Sequence, residues 1–89
     1  VTDKQAEMWA ALEAHEPKRG YAKAWPTMCR ERTYYAARVA YWAAPEESAA
    51  AEAARWASWA ADAAEEPEGA AAADDYAQRA IDAIKEVKP

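Results

Sequence analysis

The chain has 89 residues, a formal net charge of −5, one cysteine and one histidine. That length holds one domain, residues 1–89, and exceeds the size at which disulfides or metals are usually required. A lone Cys29 excludes an internal disulfide and sets a reducing, cytoplasmic location as the expectation; no apolar run approaches the ~18 residues of a membrane span, and the first residues lack the layout of a signal peptide.

Alanine occupies 28 positions, against two glycines and no phenylalanine. Alanine is the best helix former and a poor core filler. Five Trp and five Tyr must therefore supply most of the buried area, roughly 150–250 Å² each when fully covered. Charge is unevenly spread: residues 1–17 carry −3, residues 18–44 carry +5 and residues 45–89 carry −7. A basic segment lying between acidic ones reads first as internal complementarity and second as a surface that recruits an anion. The overall acidity opposes generic nucleic-acid binding, because long-range repulsion resists phosphate approach.

The first helix is predicted over 3–14. Thr2-Asp3-Lys4-Gln5 has capping-box spacing, and Gln5, Met8, Trp9 and Leu12 line one face. Glu16-Pro17 stops it, and Lys18-Arg19-Gly20 reads as a basic turn in which Gly20 is free to take a positive φ. Tyr21 to Ala24 is ambiguous between a helical turn and an extended link.

A second helix is predicted from Pro26 to Ala43. Trp25, Met28, Arg32, Tyr35, Val39 and Trp42 step 3, 4, 3, 4, 3, the a/d spacing of a packed helix. The rest of the chain is expected to organise around this stretch. Arg32 on the stripe must either extend its head to solvent or pair with a carboxylate. Pro45 reads first as a tight turn and second as a kink in one long helix; Glu46 and Glu47 favour a new N-terminus, with a third helix over 45–65. Its seam is Ala49, Ala53, Trp56, Ala60 and Ala63, with Glu52–Arg55 on the outer face. Glu66-Pro67-Glu68-Gly69 breaks the chain again. A fourth helix is predicted over 70–87, with Ala73, Ala77, Ala80, Ile84 and Val87 as its seam. Asp74 and Asp75 fall in its first turn, Lys85 and Lys88 in its last, and Asp75–Arg79 form an i,i+4 pair. The expected fold is all-α: a small antiparallel bundle of three long helices plus a shorter N-terminal one, its Ala-rich seams filled by Trp and Tyr.

The chemistry-bearing patterns are few. One His and one Cys give no zinc spacing, and Glu65/Glu66/Glu68 lacks a calcium-loop pattern, so no metal is expected. Cys29 and His15 have no third orienting group in the sequence, and there is no Gly-rich phosphate loop; no enzyme activity and no cofactor are expected. What stands out is an aromatic–arginine face: Tyr34, Arg38 and Tyr41 at i, i+4, i+7, with Arg30 one turn earlier and Lys23 beyond it. Guanidinium stacked on phenols stabilises helix surfaces, and it also holds bases and phosphates. Interfaces favour Trp, Tyr and Arg as anchors, and this narrow bundle has more aromatics than its Ala seams can bury.

Trp25, the block Met28-Cys29-Arg30-Glu31-Arg32-Thr33 with the Ala/Tyr/Trp-rich stretch after it, and the closing Tyr76-Ala77-Gln78-Arg79-Ala80-Ile81-Asp82-Ala83-Ile84 resemble small uncharacterised Ala-rich helical proteins of phages and prophages of high-G+C bacteria. That resemblance implies a small accessory protein acting on a host component, with no activity to transfer.

The leading expectation is a non-enzymatic helical interaction protein that binds a protein partner or self-associates through Arg30, Tyr34, Arg38, Tyr41 and Lys23. One alternative is a nucleotide or other small-anion binder, in which Arg30, Arg38 and Lys23 hold the charge and Tyr34 and Tyr41 stack. Another is a nucleic-acid mimic built from Glu46, Glu47, Glu52, Asp62, Glu65, Glu66, Glu68, Asp74 and Asp75.

Overall fold

The computed structural model describes residues 2–87, and among them the only regular structure is helical. Helix α1 spans Asp3–Ala14 and is followed by a 3₁₀ turn at Arg19–Tyr21. Then come α2 (Ala24–Glu31), α3 (Tyr34–Ala43), α4 (Ala49–Ala64) and α5 (Ala70–Lys85). The expected all-α class holds.

Helix α1 begins as its cap predicts. The Thr2 hydroxyl accepts the Gln5 N–H at 3.2 Å, and Gln5, Met8, Trp9 and Leu12 are all buried. The Gln5 side chain does not turn back to complete a capping box. It donates to the Ala73 carbonyl of α5 at 2.9 Å, while Thr2 donates to Asp74 at 2.6 Å and Lys4 to Gln78 at 2.7 Å. Polar contacts thus fix α1 along α5. Asp74 and Asp75 fall in the second turn of α5, because that helix starts at Ala70. Lys88 lies outside the described residues.

Between α1 and α2 the Tyr21 and Trp25 rings are buried and meet edge to face at 5.5 Å. The Trp25 indole N–H donates to the Leu12 carbonyl at 2.8 Å, satisfying the one polar atom of a ring that is 1% exposed. No glycine takes a positive φ, so Gly20 uses none of its extra freedom.

The predicted second helix is two helices. Arg32 adopts a left-handed conformation (φ 54°), and its N–H still donates to the Met28 carbonyl at 2.8 Å, closing α2. Its Nε donates to the Cys29 carbonyl at 3.2 Å, and its Nη2 reaches Glu13 of α1 at 3.2 Å. The next residue, Thr33, opens α3 by accepting the Ala36 N–H on its hydroxyl at 3.2 Å. A non-glycine residue in this conformation costs about 1–2 kcal/mol. Two adjacent caps and an ion pair to a different helix offset that cost.

The break rotates the pattern. Trp25 and Met28 are buried as expected, but α3 turns Ala36, Ala37 and Ala40 inward. Tyr35, Val39 and Trp42, the rest of the predicted stripe, are exposed.

Pro45 sits in the turn between α3 and α4. The new helix starts four residues later than expected, with Ser48 as its cap: its hydroxyl accepts the Ala51 N–H at 3.0 Å. Glu46 and Glu47 lie in the turn, Glu47 at φ 63°.

The organising element is α4, not the segment around 24–44. Its Ala50, Ala51, Ala53, Ala54, Ala57, Ala60 and Ala61 are buried, as is Ser58, whose hydroxyl donates to the Arg55 carbonyl at 2.6 Å. Methyl-sized side chains let α3 and α5 approach α4 closely, and α1 and α2 pack outside those pairs. Gly69 closes the α4–α5 turn. A Cβ there would run into the Ala63 carbonyl, so no other residue fits without movement.

Candidate functional site

Tyr34, Arg38 and Tyr41 come together on α3 as their spacing predicts. The Arg38 guanidinium lies 4.8 Å from the Tyr41 ring centre, 5.7 Å from Trp42 and 5.9 Å from Tyr34. Its Nε and Nη1 are buried under these rings and make no hydrogen bond among the described residues. The neighbouring stripe is more open: Tyr35 is 72% and Trp42 66% exposed, with Val39 between them. No carboxylate occurs on α3 itself. The face is apolar and aromatic around one guanidinium, and at its C-terminal end Glu46 and Glu47 line a cavity with Tyr41 and Trp42.

Arg30 and Lys23 belong to α2 and its N-terminal boundary, on the other side of the helix break. Arg30 approaches its neighbour Glu31 at 3.7 Å, both groups largely in solvent. No contact described for Arg30 or Lys23 joins them to the Arg38 stack. Sequence spacing had placed Arg30, Tyr34, Arg38 and Tyr41 on one helix with Lys23 just before it, and the turn at Arg32-Thr33 removes that basis.

Tyr35, Val39 and Trp42 extend the predicted face. Their spacing was legible, but it was read as a buried seam. Sequence reasoning also missed a second aromatic–arginine cluster. Trp56 and Trp59 of α4 meet edge to face at 5.0 Å, and Tyr76 of α5 stacks on Trp56 at 5.9 Å. Arg55 lies 5.2 Å over Trp56 and 5.4 Å over Trp59, and Arg79 lies 5.0 Å over Trp56. Both arginines have carboxylate partners, Glu52 at 2.9 Å and Asp75 at 3.2 Å, as the i,i+3 and i,i+4 spacings predict. The contacts of Tyr76 and Arg79 with the indoles required knowledge of the helix–helix register.

Cys29 and His15 line one shallow cavity of about 400 Å³ beside Glu13 and Trp25. Burial, reinforced by the Glu13 carboxylate and opposed by Arg32, pushes the Cys29 thiol up to about 11. It is therefore protonated at neutral pH, the wrong state for a nucleophile or a metal ligand. His15 is engaged with Tyr21, Nε2 to hydroxyl at 2.9 Å. Its pKa is lowered, first by burial and then by Lys18. Among the described residues no three His, Cys, Asp or Glu side chains converge as a metal site.

The acidic residues divide between the two ends of α4. Glu46 and Glu47 precede it, whereas Asp62, Glu65, Glu66 and Glu68 stand at or after its far end, about 24 Å away along a 16-residue helix. Glu52, Asp74 and Asp75 already contact Arg55, Thr2 and Arg79. No helix among the described residues is long and apolar enough to cross a membrane.

Set against protein-family models, curated proteins and solved structures, the chain matches none. The likeness to Ala-rich phage proteins therefore rests on the sequence alone.

Proposed function

We propose that the protein is a non-enzymatic helical interaction protein whose working surface is the outer face of α3. The observation that carries this reading is an a/d-spaced stripe, Tyr35, Val39 and Trp42, left in solvent beside a stacked arginine that makes no ion pair among the described residues. With about 150–250 Å² per fully covered aromatic, the exposed parts of these side chains amount to several hundred Å². Apolar patches of that size on small proteins commonly mark contact sites. The fitting partner is a helix with its own apolar stripe and a flanking carboxylate: the stripe fills the seam and the carboxylate reaches Arg38. The scaffold is read as an antiparallel bundle, since the α3–α4 and α4–α5 pairs are each joined by short turns. The phage likeness adds that the partner is a host component in the cytoplasm, which makes the protein an accessory factor or inhibitor.

The test places a photo-crosslinking residue at position 42, with position 71 on the exposed part of α5 as control. A discrete protein adduct at 42 and none at 71 is expected. Equal labelling at both positions, or none at either, rejects the α3 face as a binding surface.

A second reading shares one observation. The Arg38 guanidinium, stacked on the Tyr34 and Tyr41 rings with no carboxylate on its own helix, also suits a phosphate beside a stacked base. It predicts thermal stabilisation by nucleotides that fades as salt rises, and a flat melting response across a nucleotide panel discards it.

A further inference from the structure

At the C-terminal end of α4, beside the start of α5, lies a cavity of about 390 Å³ walled by Trp59 and Tyr76. The two ring planes meet at 58° with centroids 6.0 Å apart, so they form a corner. Asp62 and Glu66 stand on its rim, and neither makes an ion pair among the described residues. Ala63, Ala72 and Gly69 complete the wall with almost no side-chain bulk.

The aromatic cluster is two-sided. One turn before Trp59 in the chain, Arg55 covers the indoles and is neutralised by Glu52. One turn after Trp59, the cavity side carries carboxylates and no cation. Rings already stacked with guanidinium on one side thus offer, on the other, an aromatic corner under a negative field.

We propose that this corner binds a methylated ammonium group. Aromatic faces attract cations, the more strongly as the cation loses water. A tetraalkylammonium head fits best among them, because it has no N–H groups to leave unsatisfied against alanine and indole. Asp62 and Glu66 supply attraction at longer range, screened by salt. The chemistry is shared by a free quaternary amine and a trimethylated lysine side chain. The proposal is independent of the α3 reading, as it involves a different face and different residues.

The experiment uses the full chain and follows the Trp59 indole N–H resonance at constant ionic strength, assigned with Trp59→Phe. Probes are choline, its neutral isostere 3,3-dimethyl-1-butanol, and a short peptide with either trimethyllysine or lysine. Choline is expected to shift the resonance saturably and to bind at least about fivefold more tightly than the isostere. Asp62→Asn with Glu66→Gln, both at exposed positions, should weaken choline several-fold while leaving the unliganded spectrum in place. Tyr76→Phe should retain binding. Tighter binding of the trimethyllysine peptide than of choline assigns the ligand to a protein; equal binding assigns it to a small molecule. Equal affinity for choline and the isostere, indifference to the carboxylate double variant, or no saturable shift at ~50 mM choline overturns the proposal.

Discussion

Two regions of this molecule use the same chemistry to different ends. On α3 a guanidinium lies over Tyr41, Trp42 and Tyr34, with two N–H groups unpaired and the neighbouring rings in solvent. Between α4 and α5, Arg55 and Arg79 lie over indoles that are half buried between two helices, and each arginine has its carboxylate, although the Arg55 Nε is also buried without a hydrogen bond. In the second region the rings fill the space that an alanine seam leaves. In the first only Tyr41 packs against the core, and Tyr34, Tyr35 and Trp42 stand exposed. Identical residue types therefore mark structure in one place and a candidate contact in the other. What separates them is whether a neighbouring helix covers the rings.

The comparison is broken most directly by removing one indole from each region. Trp56→Ala should cost ~2–3 kcal/mol, less than the 3–5 of a fully buried Trp because the ring is only half covered. For a domain of this size that is a fall in Tm of 10 °C or more. Trp42→Ala should stay within about 0.5 kcal/mol of the parent chain, since the ring is already largely solvated and Ala favours the helix. Thermal melts of the two variants measure both. Equal losses would mean that Trp42 is structural and the α3 face has no surplus.

The helix break comes next, because it determines which way the α3 rings face. Thr33→Ala removes the cap of α3 and should cost about 1 kcal/mol, read from urea midpoints at unchanged m. Arg32→Gly should be close to neutral: it relieves the left-handed residue while losing the exposed Glu13 pair. If Thr33→Ala costs nothing, the cap does not hold the break, and the orientation of α3 needs another cause.

These two residues also show where the sequence stopped being readable. The boundaries of α1 and the turns at Pro45 and Pro67 were legible because Thr2, the prolines and Gly69 act locally. The break at 32–33 was not, because the residue in the left-handed conformation is an arginine held by Glu13 on another helix. An a/d count that runs through Arg32 assumes one axis, and the axis changes there. The central role of α4 was hidden for a different reason: alanine suits a solvent face as well as a seam, so the count along Ala49, Ala53, Trp56, Ala60 and Ala63 showed one seam where the helix buries about half its circumference, including Ala50, Ala54, Ala57 and Ala61. Of the candidate site, the grouping of Tyr34, Arg38 and Tyr41 followed from i,i+4,i+7 spacing. Their separation from Lys23 and Arg30, and the exposure of Trp42, depended on the break.

Replacing each arginine by methionine sharpens the contrast between the regions. Arg55→Met keeps an unbranched stem against Trp56 and Trp59 but loses the Glu52 pair and the cation–π contacts, a loss of about 1 kcal/mol. Arg38→Met loses similar stacking but no ion pair, and it removes two buried nitrogens that had no partner against one in Arg55, so its net effect on stability should lie within about 0.5 kcal/mol. Chemical denaturation separates the two values. Matched losses would show that stacking alone sets both energies and that unpaired donors on α3 carry no penalty.

The smallest effect isolates the ion pair from the stack beneath it. Arg79 lies 5.0 Å over Trp56 and pairs with Asp75 at 3.2 Å, and more than half of each charged side chain is in solvent. An exposed i,i+4 pair of this kind contributes about 0.3–0.5 kcal/mol and is screened by salt. The guanidinium over the indole is less affected, because the ring excludes water from one of its faces. Asp75→Asn should therefore cost no more than about 0.5 kcal/mol at low salt, and the difference from the parent chain should vanish by ~0.5 M NaCl. The same salt should leave the fluorescence of the Trp56 environment unchanged in both chains, since Arg79 stays on the ring. If Asp75→Asn instead costs 1 kcal/mol or more and alters the Trp signal, the carboxylate positions the guanidinium. The α4–α5 cluster would then be a coupled network, and its contrast with the unpaired Arg38 stack would lie in the carboxylate rather than in the helix that covers the rings.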